Sequence, residues 1–346
     1  MSETPIEAAS GGPQDTLRWL FVGPEGLRSG YRASLFTVGF IVVTVIGGAA
    51  AAGVMAALDA LGVTLPRGEL FLLLNGITFT PALLLTLVAG AIERPRFISA
   101  GVGGPVLRTV AEAGGGALLG GLLVLLALLG PAIGGSVRFD ALAPGRHWLM
   151  IPLWFVGLAI AATWEEIAFR GYHFQWLCRA TGNAFAAALG QLPLLDPDRL
   201  GQWLSRAGWV GLSSIAFGLL HWSNPNADLI STVNTMLAGV WLAVAVFRSR
   251  ALWLACGLHF GWNFAQGPVL GLPISGLGSS ESGMVIPSLW STSVTGPQWL
   301  TGGGYGIEAS LPCTAVLILG IAISGLWPPR RRGEDAAVLR PGAIDA

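Results

Sequence analysis

The chain alternates between apolar runs and short polar connections. Eight runs approach or reach the length of a bilayer span: 34–58, 70–92, 110–129, 147–163, 207–222, 229–247, 252–266 and 311–326. A helix that crosses the hydrocarbon core needs about 20 predominantly apolar residues. The fifth and seventh runs are shorter, and polar residues at their ends extend them. The pattern predicts an all-α membrane protein, a polytopic bundle of about eight transmembrane helices.

The connections between the runs suggest one membrane domain, 34–327, between two polar tails, 1–33 and 328–346. We expect the fourth helix to continue through Glu165 and Arg170 toward Cys178. The connection 183–206 holds an apolar piece that is too short to cross the bilayer, so we interpret it as a re-entrant or interfacial segment. The connection 267–306 is rich in Gly, Ser and Pro, which predicts a long extracytoplasmic loop.

Composition supports a membrane protein and argues against nucleic-acid binding. Charged residues make up 11% of the chain and hydrophobic residues 53%, whereas soluble domains are about 25% charged. The formal net charge is zero, so no basic field would attract nucleic acid. All nineteen basic residues are Arg, which we ascribe to a GC-rich bacterial genome.

The placement of the arginines predicts the orientation of the bundle. If the helices alternate in direction, only Arg67, Arg138 and Arg146 lie on the side opposite to the other arginines of the membrane domain. Positive residues concentrate on the cytoplasmic side of membrane proteins. We therefore expect an integral protein of the bacterial inner membrane with both termini in the cytoplasm.

The candidate chemistry is concentrated in the segment from Trp164 to Arg170, where two adjacent carboxylates and an arginine follow an apolar run. Each ionised group at mid-bilayer costs about 2.5–3.5 kcal/mol on insertion scales. Glu166 and Arg170 are spaced to form an ion pair on one helix face. Glu165 points elsewhere and has no local partner. One carboxylate is thus neutralised, while the other is available as a general base.

Two further helices each carry a histidine in an apolar setting. Phe217 and His221 share one helix face, and His259 and Asn263 share another. Polar side chains in a bilayer face the bundle interior and partner one another, so we predict a single intramembrane polar cavity. A carboxylate beside an imidazole can activate water, and a His–Asn pair can stabilise an oxyanion. Two His and a Glu also suit zinc with a bound water, so a metal site stays open.

These residues, in this order, resemble the CPBP family of CAAX proteases and bacteriocin-processing proteins, which includes the Rce1-type endopeptidases. The resemblance rests on Glu-Glu-x-x-x-Arg, Phe-x-x-x-His and His-x-x-x-Asn and covers about 151–276. It implies that Glu165 and His221 activate water and that His259 and Asn263 stabilise the oxyanion. Glu166 and Arg170 would support the architecture. If the enzyme binds zinc, the resemblance implies Glu165, His221 and His259 as ligands.

The resemblance implies an intramembrane endopeptidase, of metallo- or glutamate type, that acts on a membrane-associated protein or peptide. Phe217, Trp222 and Trp262 are candidates for lining a substrate groove, although aromatic packing explains them equally well. No Ser or Cys stands in the motifs as a nucleophile, so an acyl-enzyme is not expected. The alternatives are a non-catalytic membrane scaffold, a bacteriocin self-immunity protein and a proton-relay transporter.

Overall fold

A computed structural model describes residues 22–23, 26–27, 29–92, 105–142, 148–190 and 196–328. Within these ranges the chain is almost entirely helical. The helices are α1 (Ser29–Ala60), α2 (Arg67–Ile92), α3 (Val106–Ile133), α4 (Ile151–Arg170), α5 (Tyr172–Leu189), α6 (Pro197–Leu220), α7 (Leu229–Ser249), α8 (Trp253–Phe264), α9 (Gln298–Thr301) and α10 (Leu311–Gly325). The strands are β1 (Val22–Gly23), β2 (Gly26–Leu27), β3 (Val137–Leu142) and β4 (Trp290–Val294).

Each of the eight apolar runs falls mainly within one helix, which confirms the all-α membrane architecture. By length and composition, five segments of the described chain can cross a bilayer: Ala33–Ala60, Arg67–Ala89, Val106–Ile133, Ile151–Leu189 and Leu229–Ser249. α10 is also apolar but shorter, α8 has only 12 residues, and α6 begins with a polar half. The protein is an integral membrane protein.

Gly171 ends the fourth helix earlier than the sequence indicated. The expected continuation toward Cys178 is wrong, because Gly171 adopts an extended conformation between α4 and α5. A Cβ at Gly171 would overlap the backbone of Ile167. Glycine therefore allows a tight break directly after Arg170. The break leaves the charged residues Glu165, Glu166 and Arg170 in the last turns of α4.

The connection 183–206 is helical at both ends, and its interpretation as a re-entrant or interfacial segment stays a prediction. Its first part completes α5 and its last part is the N-terminal half of α6; residues 191–195 lie outside the described ranges. Asp196 caps α6 by accepting a hydrogen bond from the Arg199 amide at 3.1 Å. Ser205 of α6 donates to the Cys178 carbonyl at 2.8 Å, which ties the two helices together.

Close glycine packing places α8, the helix that carries His259 and Asn263. Gly116 and Gly120 of α3 lie against the α8 backbone, and Gly257 and Gly261 of α8 lie against the α3 backbone. A Cβ at any of the four would overlap a carbonyl oxygen of the facing helix. Small residues allow membrane helices to approach closely where the hydrophobic effect gives no attraction. The position of α8 therefore depends on this contact.

The long loop 267–306 is folded against the helices. It begins with a π-helical turn, Ala265–Val269, directly after α8. Its strand β4 pairs antiparallel with β3, with a register irregularity between Phe139 and Ala141. α10 follows and is capped by Ser310, whose hydroxyl accepts from the Cys313 amide at 3.2 Å. The loop thus returns to the bundle beside α8.

We predict that Gly120→Ala destabilises the protein while Gly114→Ala on the same helix does not. A methyl group at position 120 would overlap the Leu258 carbonyl, whereas position 114 has no atom within 4 Å of the added carbon. Overpacking costs about 1–3 kcal/mol, and Ala otherwise favours a helix by about 1 kcal/mol over Gly. Thermal unfolding of both variants in one detergent tests this. Equal melting temperatures would show that the α3–α8 contact is not tight.

Candidate active site

A buried cluster of charged side chains joins α4 to α8. Arg170 Nη1 donates to Glu166 Oε1 at 3.0 Å, and both side chains are fully buried. His259 Nδ1 lies 3.0 Å from the same Glu166 oxygen. Because a carboxylate oxygen accepts, Nδ1 carries the proton in this contact. The ion pair expected from the spacing is therefore present, and it also orients His259.

Arg170 extends the cluster to two more helices. Its Nη2 donates to the Gly239 carbonyl of α7 at 3.2 Å. Its guanidinium carbon lies 4.7 Å from the centre of the Phe217 ring of α6, within cation–π range. Phe217 in turn contacts both histidines, with ring centres 4.7 Å from His221 and 6.2 Å from His259. One arginine thus positions groups on α4, α6 and α7.

Glu165 has the different environment that its helix position predicts. Its side chain is 25% exposed, whereas that of Glu166 is fully buried. Glu165 Oε2 lies 3.8 Å from His259 Nε2, which is beyond a direct hydrogen bond. A water molecule can bridge polar groups at such a separation. The second carboxylate therefore faces the free nitrogen of the imidazole that Glu166 holds.

His221 stands at the C-terminal end of α6 with one nitrogen fixed. Its Nδ1 lies 2.7 Å from the Phe217 carbonyl, which can only accept a hydrogen bond. The neutral ring must therefore carry its proton on Nδ1, which leaves a lone pair on Nε2. A histidine held in this tautomer can act as a proton acceptor or as a metal ligand.

Three of the four predicted catalytic residues line one cavity. Its volume is about 490 Å³, which includes its open mouth. The lining residues are Phe217, His221, Asn234, Thr235, Ala238, Trp241, Leu242, His259, Trp262, Asn263, Ser275, Glu308, Cys313 and Leu317. Glu165, the fourth, does not line the cavity; its carboxylate lies 3.8 Å from His259, which does.

The predicted groove aromatics behave differently from one another. Phe217 and Trp262 are buried and line the cavity. Trp222 does not line it and is 55% exposed, in the short 3₁₀ turn after α6. Trp222 thus lies outside the wall of this cavity, and its place in a substrate groove stays a prediction.

Sequence reasoning missed Glu308 as a residue of this cavity. Glu308 is 9% exposed, and its carboxylate accepts from the Ser275 amide at 3.1 Å and from the Gln266 side chain. Burial raises the pKa of the Glu308 carboxyl to about 7, while hydrogen bonds from Gln266 and Ser275 oppose the rise. The sequence feature that could have identified Glu308 is an isolated carboxylate just before the apolar run 311–326.

Asn234 connects α7 to the start of α10. Its amide donates to the carbonyls of Glu308 and Ser310 at 2.7 and 2.8 Å. Its oxygen accepts from the Thr314 hydroxyl at 2.7 Å. Asn234 therefore makes the hydrogen bonds between helices that its buried position favours, and it forms part of the cavity wall as well.

The described residues do not assemble the zinc site that the sequence left open. No group of three or more His, Cys, Asp or Glu side chains in the described ranges is arranged to hold a metal ion. Of the expected ligands, Glu165 lies beside His259 Nε2 at 3.8 Å, and His259 Nδ1 is already engaged by Glu166. We therefore derive no chemical step through a metal.

Comparison with known families identifies the segment that carries this site. Residues 147–265 match the model of the Rce1-like family, described as type II CAAX prenyl endopeptidase. This segment is Rce1-like. It contains Glu165, Glu166, Arg170, His221, His259 and Asn263, and it extends from before α4 to the end of α8. No curated protein and no solved structure matches the chain. The family match confirms the resemblance recognised from the motifs.

We predict that Arg170→Met destabilises the protein more than Arg108→Met does. Arg170→Met leaves the Glu166 carboxylate without its cation in a fully buried site, a change that costs about 3–5 kcal/mol. The Arg108–Glu112 pair has the same spacing, but the arginine side chain is 24% exposed. Thermal unfolding compares the two variants, and Glu166→Gln combined with Arg170→Met should recover part of the loss. Equal destabilisation would contradict a special role for the buried pair.

Proposed function

We propose that this Rce1-like protein is an intramembrane endopeptidase that hydrolyses a peptide bond with an activated water. The observation that carries the proposal is the common cavity of His221, His259 and Asn263, with the Glu165 carboxylate 3.8 Å from His259. A general base and hydrogen-bond donors placed around one reacting group are what amide hydrolysis requires. The Rce1-like family match supports protease activity independently.

Glu165 and His221 activate the water in this proposal. Glu165 is the carboxylate of the pair that does not bind Arg170, and His221 presents the free Nε2 lone pair of its Nδ1–H tautomer. Water gives a proton to this pair as its oxygen attacks the scissile carbonyl carbon. The proton then moves to the departing amine nitrogen as the C–N bond breaks. The products are a carboxylic acid and an amine, and no covalent enzyme intermediate forms.

His259 and Asn263 stabilise the oxyanion. They lie one helical turn apart on α8 and both line the cavity. His259 Nδ1 donates to Glu166, and its Nε2 faces Glu165, so a doubly protonated ring would find a carboxylate at each nitrogen. Such a ring can donate a hydrogen bond from Nε2 to the developing negative charge. Glu166 and Arg170 act by holding this ring in position.

The substrate in this proposal is a membrane-associated protein or peptide. The cavity lies among helices of an integral membrane protein, and the family description is that of a type II CAAX prenyl endopeptidase. CAAX-type processing and peptide maturation both fit this description. The arginine distribution supports a place in the bacterial inner membrane with both termini in the cytoplasm.

We expect Glu165→Gln to abolish proteolysis in a folded protein, since the amide cannot accept the proton of water. General-base catalysis contributes about 10²–10⁴-fold, so the loss should be at least 100-fold. New peptide termini are compared by mass spectrometry in membranes from cells with the wild type, Glu165→Gln or the exposed control Asp59→Asn, at equal abundance. Termini that appear with the wild type and Asp59→Asn, and not with Glu165→Gln, support the protease. Identical termini in all three membranes, with the variant folded, would favour the scaffold.

Metal chelation distinguishes a glutamate-type enzyme from a metalloenzyme. Because the described side chains form no three-ligand cluster, we expect EDTA and 1,10-phenanthroline to leave cleavage of the identified substrate within about twofold of the untreated rate. The purified protein and a peptide that spans the observed cleavage site are used. A chelator-induced loss that added zinc reverses would replace the glutamate-type mechanism with a metal-dependent one.

A further inference from the structure

A second polar network, which the proposed reaction does not use, connects the two helices that carry the histidines. It consists of Asn224, Gln266, Ser275 and Glu308, and we call it the Glu308 clamp. We propose that Glu308 is a positioning residue that holds His221 and Asn263 at a fixed separation across the cavity. An effect of the clamp on catalysis rests on the proposed function. The hydrogen-bonded connection between His221 and the end of α8 does not.

The carboxylate of Glu308 is the centre of the clamp. One of its oxygens accepts from the Ser275 amide at 3.1 Å and from the Ser275 hydroxyl at 3.3 Å. The other oxygen accepts from the Gln266 side-chain amide. All three partners are donors, so they match an ionised carboxylate and not an amide. Charge-assisted hydrogen bonds of this kind are about twice as strong as neutral ones.

Gln266 connects the clamp to the oxyanion side of the cavity. It lies three residues after Asn263, in the π-helical turn that continues α8, and its side chain is fully buried. Its amide nitrogen donates to both Glu308 and the Pro273 carbonyl, so both of its protons are used. Any shift of Glu308 therefore pulls on the end of the helix that carries His259 and Asn263.

Asn224 connects the clamp to the other side. Its backbone amide donates to the His221 carbonyl at 3.1 Å. Its side-chain amide donates to the Ser275 carbonyl at 3.0 Å. Ser275 is the residue whose N–H and hydroxyl bind Glu308. A continuous chain of hydrogen bonds thus leads from His221 to the α8 terminus through one carboxylate.

The backbone at Gly306 lies directly against the clamp. Gly306 has φ of +105°, a conformation that favours glycine. A Cβ at Gly306 would overlap the Pro273 carbonyl, the Gln266 amide and the Glu308 carboxylate together. Among the described residues, the titratable groups that interact with Glu308 are Tyr305 and Cys313. Burial raises the pKa of Tyr305 to about 12, and the Glu308 charge adds to the rise. Glu166, paired with Arg170, binds His259 independently of the clamp. Two separate sets of hydrogen bonds therefore hold the residues of the site.

Glu308→Gln tests the clamp because it keeps the side-chain size and replaces one acceptor by a donor. The protein has four histidines, so ¹⁵N-histidine labelling of the full chain in nanodiscs gives few signals, which single His→Gln variants assign. At pH 8, we expect Glu308→Gln to shift the imidazole signals of His221 and His259 and to leave His173 unchanged. Glu281→Gln, an exposed carboxylate on the same loop, is the matched control and should change none of them.

The kinetic test is whether Glu308→Gln changes kcat and KM by different amounts. A misplacement of about 1 Å costs up to about 10²-fold, so on the identified peptide we expect Glu308→Gln to lower kcat by about 10- to 100-fold. KM should change far less, and Glu308→Asp, which keeps the charge, should recover part of the rate. A wild type that cleaves nothing, together with shifted histidine signals in Glu308→Gln, would overturn the proposed function and keep the coupling.

Unchanged His221 and His259 signals in Glu308→Gln overturn the clamp, whether or not the wild type cleaves a peptide. An unchanged kcat in an active enzyme overturns the positioning role. If Glu308→Gln does not fold, Ser275→Ala replaces it, because that variant keeps the Glu308 carboxylate and removes the hydroxyl that donates to it at 3.3 Å and also contacts Tyr305. Ser275→Ala should shift the same two histidine signals by a smaller amount, and the absence of any shift would count against the clamp.

Discussion

The site depends on one buried carboxylate oxygen that two cationic or potentially cationic groups share. Glu166 Oε1 accepts from Arg170 and from His259, each at 3.0 Å. An unpaired charge at this depth would cost several kcal/mol, so the three groups stabilise one another. Because they belong to α4 and α8, this requirement also fixes the two helices relative to each other. The orientation of the His259 ring follows from it.

The adjacent carboxylates have different environments because they lie one helical step apart. Glu166 points into the bundle and is neutralised by Arg170, whereas Glu165 remains partly exposed and faces the second nitrogen of His259. Because Arg170 neutralises Glu166, the charged cluster is stabilised while the Glu165 carboxylate does not bind the arginine. The close glycine contact between α3 and α8 brings the imidazole within reach of both carboxylates.

The sequence by itself determined the elements and the local pairs. Long apolar runs determine helices because the bilayer leaves the backbone few other ways to satisfy its hydrogen bonds. Helical spacing placed Glu166 beside Arg170, Phe217 beside His221, and His259 one turn from Asn263. Each of these relations lies within one helix, where periodicity fixes which residues share a face. The same motifs were sufficient to recognise the family.

Only the tertiary structure decided how the helices meet. The contact between Glu166 and His259 joins residues 93 positions apart, and Glu308 reaches Gln266 across 42. No periodicity encodes such separations, because they depend on how whole helices pack. The break at Gly171 and the pairing of α5 with α6 were likewise invisible, since hydropathy does not report backbone direction. Periodicity specified the faces of the helices, and close packing between backbones specified which faces meet.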